Sequence, residues 1–209
     1  MKYVLVLALV AFSPLNAFGQ DNIQEILDPY YIADVKIGMS IDEVKSASSK
    51  NGYVVKHSWP GYSFDESVSR KKGDFSVKKS GVAKLTLQKG TQRLEVSFLP
   101  WKNGARVDYI RWESNNIPSE IPGDVCSDFE AKLIERYSQP TQEGSKSLIF
   151  HKDTNGNRER DNGEPYLSSH CSGIVGKTNL ELQLRSSESY EIFSNTVAKA
   201  ASPGGFTDF

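Results

Sequence analysis

Apolar and polar positions alternate in short runs over much of this chain. Leu85/Leu87, Leu94/Val96/Phe98 and Val107/Tyr109 are each separated by polar neighbours, the period-2 pattern of half-buried strands. The pattern predicts strands over 82–88, 93–99 and 106–112, with Lys89-Gly90 and Asn103-Gly104 as hairpin turns. Further strands are expected at 147–151, 179–185 and 190–194, with Leu180, Leu182 and Leu184 on one face, and 75–79 is an additional candidate. Two segments carry helix-start chemistry instead. Ser40-Ile41-Asp42-Glu43 reads as a capping box, followed by the stripe Ile41, Val44, Ala47, Ser48 and a stop at Gly52. Ser127-Asp128-Phe129-Glu130 repeats the box, with Phe129, Leu133, Ile134 and Tyr137 at helical spacing and Pro140 closing the run.

A helix followed by strands therefore occurs twice. The expected class is α+β: two diverged helix-plus-antiparallel-sheet units packed together. The first spans 20–117 and the second 118–201, jointed at Ile117-Pro118 to Pro122-Gly123, with 202–209 as a disordered tail. Residues 1–19 are set aside. Lys2, the apolar run Tyr3–Phe12 and the small residues Ala17 and Gly19 form a signal peptide. The run is shorter than the roughly 20 apolar residues a bilayer span needs. A periplasmic or secreted chain without a membrane span is expected.

Formal charge is −1, or −2 once Lys2 is removed. Near-neutrality argues against a nucleic-acid partner and against a polybasic membrane patch. Cys126 and Cys171 are the only cysteines, and in an exported chain such a pair reads as one disulfide. The three histidines, His57, His151 and His170, form no HExxH pair, and no G-x-S-x-G elbow, P-loop or dinucleotide fingerprint occurs.

The sharpest chemical motif is residues 153–164, DTNGNRERDNGE. Asp153, Asn155, Asn157, Asp161 and Glu164 occupy positions 1, 3, 5, 9 and 12 of an EF-hand-type loop, and Glu159 at position 7 offers its carbonyl. Arg158 stands at position 6, where glycine normally makes the sharp turn. That lowers the expected calcium affinity toward ~10⁻⁴–10⁻³ M, the range of extracellular modules. The competing reading is a plain polar hairpin, since Asn155-Gly156 and Asn162-Gly163 are good turn dipeptides. The aromatic stretch His57–Phe64, broken by Pro60-Gly61, reads as a loop. Its Trp59, Tyr62 and Phe64 are either interface anchors or a cap on the core.

Two resemblances follow from these residues. Ile37-Gly38-Met39-Ser40-Ile41-Asp42-Glu43-Val44, ending at Gly52-Tyr53, resembles the helix start of small bacterial envelope α/β modules. Those include the outer-membrane assembly lipoprotein BamE and the beta-lactamase inhibitor protein. The resemblance implies a helix laid against a small antiparallel sheet. The 153–164 run, set between strand-like flanks, is similar to the calcium loops of dockerins and of bacterial adhesin repeats, and implies structural calcium on the side chains above. Together these readings point to a non-catalytic binding or assembly module of the cell envelope, whose partner is another envelope protein or a surface polymer. The alternative is an envelope hydrolase acting on polysaccharide or peptidoglycan through carboxylates.

Overall fold

The protein, represented by a computed structural model, is described over residues 30–118, 121–144, 146–151 and 166–203. Its first helix, α1 (Ile41–Lys50), begins at the Ser40 capping box. Ser40 N–H donates to Glu43 Oε2 at 2.7 Å, and Glu43 N–H donates to Ser40 Oγ at 3.4 Å. Two of the orphan donors of the helix start are thereby satisfied. The helix buries Val44 and Ser48 and ends at Asn51-Gly52, where Gly52 takes φ +80°, a conformation glycine adopts without steric cost.

Strand β1 (Val54–Gly61), helix α2 (Phe64–Lys71), and strands β2 (Gly81–Lys89), β3 (Gln92–Trp101) and β4 (Gly104–Ile117) follow. Helix α3 (Pro122–Tyr137) then leads into β5 (Gln142–Gly144), β6 (Ser147–His151), β7 (Tyr166–Ile174) and β8 (Lys177–Arg185), and helix α4 (Ser187–Ala201) closes the order. The chain is thus α+β. All eight strands belong to one antiparallel sheet in the order β1-β2-β3-β4-β8-β7-β6-β5. Helix α2 separates β1 from β2, so a helix precedes strands three times rather than the expected two, and β1–β4 and β5–β8 meet where β4 pairs with β8.

Strand alternation sends one set of side chains to a core face. Cross-strand partners Leu87/Leu94/Trp112/Leu182 and Leu85/Val96/Ile110/Leu184 form apolar rows across the sheet. Fully burying such a leucine or isoleucine stabilises the fold by about 1.5–3 kcal/mol. This face is covered by Tyr30–Ile37, α1 and α3. Gly38–Ser40 runs beside the start of β4, with Gly38 N–H donating to the Val107 carbonyl at 2.8 Å and Val107 N–H donating to the Met39 carbonyl at 2.9 Å. It fills the flank of β4 that β8, whose pairing starts at Tyr109–Arg185, leaves open.

Helix α3 starts at Pro122, five residues before the expected box at Ser127. Proline at a first helical position supplies a preset φ, so the start needs no side-chain cap. The earlier start puts Cys126 on the helix, in the same stripe as Phe129, Leu133 and Tyr137. Cys126 is bonded to Cys171 on β7, with Cα atoms 5.7 Å apart and 45 residues between them. Closing a loop of that size stabilises the fold by about 4 kcal/mol in the chain-entropy account. Phe129 stacks on Trp112 at 6.2 Å. Trp112 Nε1 donates to the Tyr53 hydroxyl at 2.8 Å, which donates to Gln92 Oε1 at 2.8 Å.

Three other expectations change. Residues 190–194 are helical within α4: Ser189 and Val197 are buried and Phe193 is half-buried, a spacing of four that marks a helix face. Residues 75–79 have no regular structure. His57–Gly61 belongs to edge strand β1 and Ser63 caps α2, so the stretch read as a loop is strand and helix start. The strand was masked in sequence because Val54 to Pro60 are exposed on both faces, and an edge strand without a buried side shows no alternation.

Candidate functional site

Beyond the core, the residues between the apolar positions line up on the opposite face of the same strands. Helices α2 and α4 cover one end of that face, where Trp101 meets Phe193 edge-on at 5.7 Å and Leu99 is buried. Over the rest, charged side chains run across four strands. Lys84 Nζ on β2 lies 3.3 Å from Glu95 on β3, and Arg93 also pairs with Glu95. Arg93 reaches Glu113 on β4 at 3.6 Å, and Arg111 reaches Glu113 at 3.3 Å and Glu181 on β8 at 2.9 Å. Arg185 Nη2 donates to Gln183 Oε1 at 2.9 Å, and its guanidinium lies 4.8 Å from the Tyr109 ring centroid. At the β1 side the row ends with Lys84 5.4 Å from the ring centroid of Trp59, which is 52% exposed.

The register explains the order of signs. Glu113 stands directly opposite Glu181, a like-charge pairing that destabilises a sheet. Arg111 reaches both carboxylates and offsets the repulsion. Burial raises the Glu181 carboxyl, but hydrogen bonds from Arg111 and Gln183 and the charges of Arg111 and His170 outweigh it, so its pKa falls below the ordinary value. The hydrogen bond to Glu181 in turn raises Arg111. Tyr109 is raised, chiefly by burial. Arg111 and Glu181 therefore both hold their charge at neutral pH. His170, opposite Glu181, and Tyr166, opposite Arg185, extend the face onto β7.

The candidates read from sequence fall in different places. Trp59 is exposed beside this face, Tyr62 is half-buried, and Phe64 is buried as the first residue of α2. Of the three, Phe64 is turned inward and offers a partner little surface. Cys126 and Cys171 form the bridge on the core face. Asp153, Asn155, Asn157, Glu159, Asp161 and Glu164 lie outside the described residues, as do residues 1–19 and 204–209. What is described is where the calcium-type run is anchored. It joins β6 to β7, whose ends pair through His151 and Tyr166, next to Arg185 and the start of α4. No helix among the described residues is long and apolar enough to cross a membrane.

The carboxylates bear on the hydrolase alternative. Glu95, Glu113 and Glu181 are each engaged by a cation. Among the described residues Asp108 is the carboxyl pushed up, to about 6, and the cause is burial, opposed by hydrogen bonds from its own amide and that of Tyr109. No neighbouring carboxylate contributes to that shift, as a shared acid–base pair would. Two surface hollows of about 370 and 400 Å³ are lined by residues such as Lys56, Gln88, Lys89, Asn116, Lys146 and Asn179, with no Asp or Glu in either. Comparison of the chain with family models, curated proteins and solved structures found no match.

The residues of the charged ladder are visible in the sequence. Arg93-x-Glu95, Arg111-x-Glu113 and Glu181-x-Gln183-x-Arg185 are the polar halves of the alternations that predicted the strands. Opposite signs on one strand face, two residues apart in the first two runs and four apart in the third, are the signal. What the local pattern lacks is the strand order that sets them side by side.

Asp108 supplies a test of the electrostatics. It sits where β4 bulges opposite Phe98, and its Oδ1 has no hydrogen-bond partner. In the unfolded chain this carboxyl loses its proton near its ordinary value, while the folded protein holds it until about pH 6. Stability therefore falls as pH rises between those values and stays lower above them. At neutral pH the cost is on the order of 2–3 kcal/mol. Asp108→Asn is expected to raise stability to urea by that order near pH 8 and to change it little near pH 4.

Proposed function

We propose that this protein is an exported, non-catalytic binding or assembly module of the bacterial cell envelope, engaging another envelope protein or a surface polymer through the open face of its sheet. The observation that carries this reading is the continuous ladder Lys84–Glu95–Arg93–Glu113–Arg111–Glu181. In these pairs the cations are 34–49% exposed and the carboxylates 13–22%, so solvent reaches one partner of each and screens the pair, which adds only about 1 kcal/mol to folding. Their use lies in holding charged groups in fixed positions before a partner arrives, which lowers the ordering cost of association and favours a partner of complementary charge pattern. Trp59 and Tyr109, at the two sides of the ladder, are the aromatic residues that interfaces favour as anchors. Export is supported by the leader-type pattern of residues 1–19 and by the Cys126–Cys171 bridge, since disulfides persist in oxidising compartments.

Calcium enters this proposal as a structural ion on Asp153, Asn155, Asn157, Glu159, Asp161 and Glu164. Asp153 and Glu164 each stand two residues from the paired His151 and Tyr166. The pairing of His151 with Tyr166 closes the base of the run, which suits a loop whose first and last ligands must share a single ion. The ion would offset the carboxylate charge of the run and brace the β6–β7 connection. It is assigned no part in activating water.

Two experiments test the proposal. In pull-downs from envelope extract, the parent chain is expected to retain a partner that Trp59→Ser/Lys84→Ser loses while its melting temperature stays within a few degrees, since Trp59 is exposed and Glu95 keeps its pairing with Arg93. Equal capture by both chains would remove the face from the account. Separately, millimolar Ca²⁺ is expected to raise the melting temperature, and Asp153→Ala or Glu164→Ala to abolish the rise. Identical melting with calcium and with chelator would exclude a bound structural ion.

A further inference from the structure

The β1–β2 connection departs from a simple hairpin, carrying α2 and then residues 72–80 without regular structure. Ten of these positions, 70–79, read RKKGDFSVKK, with five cations against the single acid Asp74. Near-neutral net charge concealed this concentration. Lys71, Lys72, Lys78 and Lys79 are exposed, and Phe75 among them is 74% exposed.

The segment is held in shape. Glu66 Oε2 accepts from the Ser63 amide at 2.7 Å and from the Ser80 amide at 3.2 Å, so one carboxylate ties the start of α2 to the end of the connection. Asp74 accepts from the Ser76 amide at 3.0 Å and its hydroxyl at 2.6 Å. Arg70 lies 4.7 Å from the Tyr62 ring centroid and 5.3 Å from that of Phe75, and Lys79 lies 5.3 Å from Tyr62. Hydrogen bonds to Ser80 and Ser63 hold Glu66 below the usual carboxylate range, and hydrogen bonds from Ser76 do the same for Asp74. Both acids therefore stay ionised while they close the loop. The third nearby acid, Asp65, lies in the first turn of α2, at the other end of the helix from Lys71.

We propose that this loop is a peripheral docking site for an anionic lipid surface, with Arg70, Lys71, Lys72, Lys78 and Lys79 meeting headgroup phosphates and Phe75 entering the headgroup–acyl boundary. The shape favours a surface over a nucleic-acid strand. A strand is tracked by a charged groove with stacking platforms, whereas here the apolar side chain projects from an exposed connection and its ring is attended by Arg70. Lysines around an outward aromatic match an interface that is anionic outside and apolar within. Near such a surface each Lys or Arg strengthens partitioning by about fivefold. The site is independent of the charged sheet face.

The test is co-sedimentation of the full chain with phosphatidylcholine vesicles, neutral or containing about one-third phosphatidylglycerol or phosphatidylserine. The reading is the ratio of binding to anionic over neutral vesicles, which cancels any association common to both. The ratio is expected to exceed tenfold for either anionic lipid and to fall as salt screens the charges. Lys71→Glu/Lys72→Glu is expected to lower it by at least tenfold. Phe75→Ser leaves the charge unchanged and is expected to weaken anionic binding by about fivefold or more. A ratio near one, or one untouched by the double charge reversal, would overturn the proposal. So would binding of a short DNA duplex that matches vesicle binding and ignores Phe75→Ser.

Discussion

The backbone ladder between β4 and β8 joins parts of the chain that lie far apart, such as Arg111 and Glu181, which are 70 residues apart in sequence. On one side it aligns Ile110 with Leu184 and Trp112 with Leu182, completing the apolar rows under α1 and α3. On the other it brings Glu113 opposite Glu181, with Arg111 reaching both. Unpaired, β4 and β8 would each present a row of free backbone N–H and C=O groups at the sheet edge, a liability that folded sheets avoid. Pairing removes both edges and leaves β1 and the three-residue β5 outermost.

This arrangement separates an apolar core face from a charged face. The core face carries the buried leucines, the Trp112–Phe129 stack and the Cys126–Cys171 bridge. The opposite face carries groups whose ion pairs contribute little to folding, so their sign and position are free to serve another purpose. Two strands supply most of its cations and carboxylates, β3 with Arg93 and Glu95 and β4 with Arg111 and Glu113. A rigid sheet positions such groups better than a loop does. The basic α2 connection leaves β1 two residues after Trp59, returns to β2 three residues before Lys84, and has its own internal clamps.

Much of the local structure was legible in the sequence. The Ser40–Glu43 box sets α1, and period-2 alternation marks β2, β3, β4, β6 and β8, because each has one buried face. Elements that break this condition were not legible. Strand β1 is exposed on both sides, and α2 is a short helix whose cap, Ser63, falls inside the aromatic stretch His57–Phe64 that reads as a loop. Residues 190–194 mimic strand alternation because Tyr190 and Ile192 are apolar yet exposed, while the buried series is Ser189 and Val197 with Phe193 between them. The charged ladder depends on strand order. Tertiary pairing supplied it, and no local pattern encodes which strand lies beside β4.

The central claim is that the two four-strand runs form one cooperative sheet whose integrity holds the charged face together. Native-state hydrogen exchange across the β4–β8 seam tests this most directly. The account predicts that paired amides of both strands exchange only through global opening, with a common free energy equal to that from urea unfolding. Exchange of one run at a clearly lower free energy, while the other stays protected, would show two separately folding units and contradict it.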